Sequence, residues 1–183
     1  MELANVMTLI NRAFVGTKRD EECTLHQAQL ADQSMSRDIT DEERRAARDR
    51  DSQLDWREVP GVYLDECDAA LSQLSPQGWH FYLPAYLRRA LELLEADLLS
   101  SWLPGSVIFH LTFAPASKGL DWYRLERFKQ LSAEQERAVG AFLEFVVTNA
   151  GNGDPSYAKD AARALKRYWS LSPQERPRRL ITS

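Results

Sequence analysis

The longest regular pattern of apolar and polar positions lies in the middle of the chain. In the stretch SPQGWHFYLPAYLRRALELL, residues 75–94, apolar side chains recur at steps of three and four. This spacing places them on one face of a helix and places the charged side chains on the other. We therefore predict a long central core helix over residues 75–100, with an apolar face made of Trp79, Tyr82, Leu83, Tyr86, Leu87, Ala90, Leu91, Leu94 and Leu98.

A proline, Pro84, stands inside this pattern. Proline has no N–H to donate to the carbonyl of His80, four residues earlier, and its ring crowds that carbonyl. We expect the helix either to bend at Pro84 or to end there and restart. Ser75 and Pro76 are typical of a helix start, because serine caps the first turn and proline fits within it.

Shorter helical patterns flank the central segment. Residues 3–14 place an apolar stripe on a first helix, which Gly16 is expected to end. Ser132 and Gln135 have the spacing of a capping box, which predicts another helix start. Four further stripes each predict a helix with one face in the core: Leu64, Cys67, Leu71 and Leu74; Trp122, Leu125, Phe128 and Leu131; Val139, Phe142, Leu143 and Val146; and Ala158, Ala161, Leu165, Tyr168 and Trp169.

The segment VIFHLTF, residues 107–113, has the β-branched and aromatic content of a strand. No second convincing strand pattern exists to pair with it, and an unpaired buried strand would leave its backbone groups without partners. We therefore expect a short buried helix or an extended segment here. Pro104 and Gly105 before it are expected to end the long helix.

Residues 17–55 form a charged excursion with few large apolar side chains. Thr40 and Glu43 make a capping box for one short helix, DEERRAARDRD, which is polar on nearly every side. We expect the excursion to be exposed or mobile. It could be a docking segment, but a solvated insertion is the favoured interpretation.

These patterns predict an all-α, single compact domain of about six to eight helices over residues 1–172, followed by a basic tail at residues 173–183 that is expected to fray. The length of 183 residues and the 44% content of hydrophobic residues fit one domain with a sizeable core. The formal net charge of -4 argues against nucleic-acid binding and would suit a basic protein partner.

Composition also bears on location. No apolar run approaches the ~20 residues that a transmembrane helix needs, and the N-terminus lacks the basic leader of a signal peptide. The chain has two cysteines, too few for a disulfide scaffold. We therefore expect a cytoplasmic protein that does not enter a membrane.

Four segments carry a resemblance to a known family. They are DWREVP, AALSQLSPQGWHFYLPAYLRRAL, RFKQLSAEQERAVGAFLEFV and AARALKRYW, which together span roughly residues 55–170; Ile10 to Phe14 add an N-terminal match. Their order resembles a mostly bacterial family of small uncharacterised proteins. The resemblance implies an all-helical domain and no particular reaction, and it suggests toxin immunity as one role.

His80 is the first residue with candidate chemistry. A general base needs a partner within hydrogen-bond reach, and the helical neighbours of His80 include no acidic side chain. A structural role near Pro84 is therefore favoured. The alternative is a small-ligand or enzyme pocket beside Pro84, lined by Trp79, His80, Tyr82 and Tyr86.

The cysteines and histidines favour neither a metal site nor a nucleophile. Cys23, His26, Cys67 and His80 nominally supply four zinc ligands, but only the first two form the short-spaced pair that structural zinc sites use twice. Cys67 lies on a buried stripe, where a thiol is inert, so a nucleophilic pair of Cys67 and His80 is disfavoured. We expect no metal and no cofactor.

Surface chemistry gives the remaining hint. Trp56, Trp102 and Trp169 lie near segment ends, where a ring with one exposed edge can anchor an interface. Asp65, Glu66 and Asp68 add an acidic cluster. Arg124 and Arg127 are interpreted as ordinary surface charge. We therefore expect a non-enzymatic protein-interaction module that binds a partner, as an immunity or antitoxin-type protein does.

Overall fold

A computed structural model describes residues 1–34, 37–96, 101–113, 120–149 and 155–176, with the backbone alone for residues 120–122. Leu98, the side chain of Trp122 and the tail from residue 177 onward, for which predictions were made above, lie outside this description. Within it all regular structure is helical, which confirms the predicted all-α class. No helix among these residues is both long enough and apolar enough to cross a bilayer.

The described residues form ten α-helices in one compact domain, two more than the upper end of the predicted range. A 3₁₀ turn at Trp56–Glu58 precedes α4, and a π-helical turn at Leu165–Trp169 continues α10. The helices are α1 (Leu3–Ala13), α2 (Leu25–Gln33), α3 (Asp41–Arg50), α4 (Gly61–Glu66), α5 (Ala70–Gln73), α6 (Pro76–Glu95), α7 (Leu103–Leu111), α8 (Leu120–Phe128), α9 (Ala133–Asn149) and α10 (Pro155–Ala164).

The central helix α6 is surrounded by the rest of the domain. The side chain of Ser75 caps it by accepting a hydrogen bond from the N–H of Gly78 at 2.9 Å. The helix passes through Pro84 without interruption, so of the two alternatives expected there, a bend or a restart, the restart does not occur. Every residue from Phe81 to Leu87 is buried, because α1, α4, α7, α8 and α9 all contact α6. A single apolar face was predicted, but this part of the helix is enclosed on all sides.

The stripe from Leu64 to Leu74 occupies two short helices rather than one. Helix α4 has six residues and α5 has four, with a turn at residues 67–69 between them. Leu64, Cys67, Leu71 and Leu74 are nevertheless all buried. The periodicity therefore predicted burial correctly, and the turn accounts for part of the higher helix count.

Helix α7 contains most of the segment with strand-like composition. The expectation of a short buried helix there is confirmed, with Val107, Ile108 and Leu111 facing the core. Pro104 lies in the first turn of α7, where its missing N–H costs no helical hydrogen bond.

The charged excursion contains two helices. Helix α3 has no buried residue, as its polar sequence predicts, and Thr40 and Glu43 form the expected capping box. Helix α2 was not predicted. It places Leu25 and Ala28 in the core, and it packs against both α5 and α3.

Arg124 and Arg127 are both buried, so their interpretation as surface charge is wrong, and Arg127 is the more enclosed of the two. Its guanidinium group donates hydrogen bonds to the carbonyl oxygens of Leu71 at 2.7 Å and Ser72 at 3.2 Å, and to that of Leu74. The carbonyls at the end of a helix have no partner within the helix. Arg127 therefore fastens α8 to the end of α5 by satisfying them.

The position of Leu91 on α6 yields a stability prediction. Leu91 is fully buried, so Leu91→Ala should lower the free energy of unfolding by about 2–5 kcal/mol through lost burial and a residual cavity. Urea unfolding followed by circular dichroism measures the change. The matched control is Leu54→Ala at an exposed leucine, which should cost less than about 0.5 kcal/mol. Equal costs would contradict the assignment of Leu91 to the core.

His110 on α7 yields a prediction about pH. Burial, together with the guanidinium groups of Arg127 and Arg124, lowers the pKa of His110 to about 3. The unfolded chain binds this proton near pH 6.5, so below that pH the unfolded state binds more protons than the folded state, and stability falls as pH falls. Between pH 7 and pH 5, urea unfolding should show a loss about 2 kcal/mol larger for the wild type than for His110→Gln. Equal losses of stability in the two proteins would contradict the lowered pKa of His110.

Candidate functional site

The aromatic residues of the pocket considered beside Pro84 lie in the core. Trp79, Tyr82 and Tyr86 are each at most 1% exposed. The rings of Trp79 and Phe128 pack together with their centroids 5.9 Å apart. The hydroxyl of Tyr86 donates a hydrogen bond to the carbonyl oxygen of Cys67. Burial raises the pKa of both tyrosines. These contacts are structural.

His80 is partly buried and has a defined partner. Its Nε2 lies 3.0 Å from Oε1 of Gln135, which also accepts the N–H of Ser132 at 2.9 Å. Because an amide oxygen only accepts, Nε2 of His80 is the donor. The predicted capping box of Ser132 and Gln135 therefore forms, and His80 links it to α6.

The three candidate interface tryptophans differ in exposure. Trp56 and Trp169 are buried, and their indole N–H groups donate to the carbonyl oxygens of Phe14 at 2.9 Å and Leu111 at 2.8 Å. Trp102 is 81% exposed. Of the three, only Trp102 exposes its ring to solvent.

Two members of the acidic cluster have partners on neighbouring helices. Asp65 accepts hydrogen bonds from Arg89 at 3.0 and 2.6 Å, and Glu66 lies 2.7 Å from Arg50. The backbone carbonyl of Asp68 accepts the hydroxyl of Ser106 at 2.8 Å. The cluster thus joins α4 to α3, α6 and α7, and much of its charge is balanced.

Burial raises the pKa of both cysteine thiols. Sγ of Cys23 lies 3.9 Å from the carbonyl oxygen of Gln73, and burial raises the pKa of Cys67 to about 12. Cys67 is therefore a neutral thiol at physiological pH. Among the described residues, no three His, Cys, Asp or Glu side chains are grouped to hold a metal ion.

A cleft of about 530 Å³ lies between α2 and α3, away from the residues singled out as a pocket. Both walls come from the charged excursion, and the end of α4 closes the cleft. Its lining residues are His26, Gln29, Leu30 and Gln33 from α2; Glu43, Ala46, Ala47 and Arg50 from α3; and Glu66 and Cys67.

His26, one of the lining residues, forms a buried pair with Asp51. Thr24 and Gln27 form a capping box that starts α2 and places His26 in its first turn. Asp51 is the residue that caps the end of α3. One carboxylate oxygen of Asp51 accepts the backbone N–H of His26 at 2.8 Å, and the other lies 2.6 Å from Nδ1 of the ring. The pair therefore joins the start of α2 to the end of α3.

The carboxylate of Asp51 fixes the imidazole of His26. A carboxylate accepts hydrogen bonds, so the proton of the neutral ring resides on Nδ1, and Nε2 carries a lone pair. Nε2 is buried, has no hydrogen-bond partner in the protein and lies 3.9 Å from Oε2 of Glu66. The rings of Tyr63 and His26 pack in a T-shaped arrangement with their centroids 4.8 Å apart.

A second buried acceptor lies one turn further along α2. Oε1 of Gln29 is buried and also lacks a hydrogen-bond partner in the protein. Residues three apart on a helix are surface neighbours, so Gln29 and His26 line the same wall of the cleft. This wall therefore carries two unpaired hydrogen-bond acceptors.

Charged side chains surround these acceptors. Glu66 pairs with Arg50, whose guanidinium lies over the ring of Tyr63 at 5.3 Å. Hydrogen bonds from Arg37 and then from Thr40 lower the pKa of Glu43 to about 2, so Glu43 is ionised. The cleft can therefore accept hydrogen bonds and tolerate positive charge.

Sequence patterns indicate His26 only as a nominal zinc ligand, and no pattern singles out Gln29 or Asp51. One local signal was present: Thr24 and Gln27 have the capping-box spacing that predicts α2. The approach of Asp51 depends on how the two helices fold together, and no sequence spacing encodes it.

Comparison with known proteins identifies a family. The chain matches the model of a family of unknown function, DUF6714, over residues 2–172. No curated protein and no solved structure matches it. The match covers nearly the whole chain, and the protein therefore belongs to this family of unknown function.

Proposed function

We propose that the protein binds a small polar ligand in the cleft between α2 and α3. The observation that carries the proposal is the buried Nε2 of His26, a residue that lines the cleft, because this atom has no hydrogen-bond partner in the protein. The volume of about 530 Å³ lies within the range of about 300–1,000 Å³ that is common for small-molecule sites.

Energetics support a functional role for this arrangement. A buried acceptor that lacks a partner costs about 1–3 kcal/mol, so proteins seldom keep one without a reason. Here two such acceptors line one cleft, and Asp51 holds one of them in a fixed orientation. A ligand that donates hydrogen bonds to both would offset the cost.

A mixture screen by ¹H–¹⁵N NMR tests this proposal. The screen contains amines, alcohols, amides and carboxylates at millimolar concentration. We expect at least one compound to shift the amide signals of His26, Gln29 and Ala46. Ala47→Phe should abolish these shifts by filling the cleft.

The matched control is Ala162→Phe at an exposed position on α10, which should leave binding unchanged. The proposal fails if no compound moves the cleft signals of the wild type, or if Ala47→Phe binds as the wild type does.

As a second function we propose protein interaction of the immunity or antitoxin type. Trp102 is 81% exposed and Phe109 is 59% exposed. They lie seven residues apart, which is about two helical turns, and so share one side of α7. Large exposed aromatic side chains are typical anchors of interfaces. Because Asp65 and Glu66 are already paired, we expect the partner to offer an apolar surface.

A protection assay with a neighbouring gene tests this second function. We expect the product of that gene to be toxic when expressed alone and harmless when co-expressed with the wild type. Trp102→Ser together with Phe109→Ser should lose protection while melting at the wild-type temperature. Val62→Ser, at another exposed apolar residue, is the control. Full protection by the double variant would refute this second function, and so would a neighbouring gene whose product is harmless when expressed alone.

A further inference from the structure

We infer that the ligand of the α2–α3 cleft is a small primary ammonium compound with an apolar body. This inference rests on the proposed function that the cleft binds a ligand, and it adds the chemical class. Four features of the cleft lead to it: the type of its unpaired atoms, its charge, the spacing of its acceptors and its apolar wall.

The unpaired atoms on the α2 wall call for a donor. Asp51 holds the ring proton of His26 on Nδ1, so Nε2 accepts a hydrogen bond. Oε1 of Gln29 also accepts. A ligand that offers only acceptors, such as a carboxylate or a phosphate, would leave both atoms unpaired. The ligand must therefore carry N–H or O–H groups.

The charge of the lining favours a cation among such donors. Glu43 and Glu66 both line the cleft, and Arg50 is the cation of the lining; Arg50 is paired with Glu66 at 2.7 Å, and Arg37, outside the lining, is paired with Glu43 at 2.7 Å. The carboxylate of Asp51 lies behind the imidazole. A positively charged donor forms stronger hydrogen bonds with these groups than a neutral one does.

The spacing of the acceptors suits a single donor atom with several hydrogens. Nε2 of His26 and Oε2 of Glu66 are 3.9 Å apart. Two acceptors that each lie about 2.8 Å from one donor nitrogen can be up to about 5.6 Å apart, so one nitrogen can reach both. A primary ammonium has three hydrogens on one nitrogen, and Oε1 of Gln29 provides a third acceptor.

Apolar side chains, two of them from alanine, also line the cleft. Leu30, Ala46, Ala47 and Cys67 line the cleft beside the acceptors, and Cys67 is a neutral thiol. An alkyl or aryl body attached to the ammonium would pack against these side chains. The cleft thereby combines an acceptor site for the head group with an apolar site for the body.

Three probes of equal chain length test the inference: n-pentylammonium, pentan-1-ol and pentanoate, titrated at pH 7.5 in low salt by ¹H–¹⁵N NMR. We expect pentylammonium to bind at least about tenfold more tightly than pentan-1-ol, because hydrogen bonds to a charged group are the stronger kind. Pentanoate should show no binding to the cleft.

Two variants locate the head group, and a third is the matched control. Glu66→Gln and Gln29→Leu should each weaken pentylammonium binding by about tenfold. Glu126→Gln should not, although Glu126 is likewise about half exposed and ion-paired, with Lys129 at 3.2 Å.

The outcomes separate the two proposals. If compounds of the mixture screen bind in the cleft but pentylammonium does not, or pentanoate binds equally well, the ligand class is wrong and the binding function stands. Wild-type affinity in Glu66→Gln would also overturn the ammonium assignment. If neither the probes nor the screen move the cleft signals, the binding function itself fails.

Discussion

The fold depends on one constraint, the complete burial of the middle of α6. A helix that is apolar around its circumference must be covered on every side, and the segment from Phe81 to Leu87 meets this condition. Helices α1, α4, α7, α8 and α9 supply the cover. Pro84 is tolerated inside α6 because packing, rather than one backbone hydrogen bond, holds a core helix together.

The polar groups enclosed by this arrangement are mostly paired. Arg127 satisfies carbonyls at the end of α5, and the indoles of Trp56 and Trp169 each donate to a backbone carbonyl. The carboxylate of Asp51 accepts hydrogen bonds from the backbone N–H and from Nδ1 of His26. Seven buried side-chain nitrogen or oxygen atoms of the described residues have no hydrogen-bond partner in the protein, and two of them, Nε2 of His26 and Oε1 of Gln29, belong to residues that line the α2–α3 cleft.

The candidate site and the core belong to different parts of the sequence. Helix α6 and its neighbours bury large apolar side chains, whereas both walls of the cleft come from residues 17–55, which contain few of them. Helix α3 buries none of its residues and is held by its caps and by α2. Its short alanine side chains leave space that a bulkier apolar helix would fill. The proposed functions accordingly use the cleft and the exposed side of α7, not the aromatic core.

The sequence by itself determined the helical class, the central position of α6, the burial of its aromatic residues and the polar nature of α3, since each follows from local periodicity or a local cap. It did not reveal the break between α4 and α5, the enclosure of α6 on all sides or the burial of Arg127, because these depend on what packs against each segment. The pairing of His26 with Asp51 was decided only by the tertiary structure. Twenty-five residues separate the two, and only the packing of α2 against α3 brings the carboxylate to the ring.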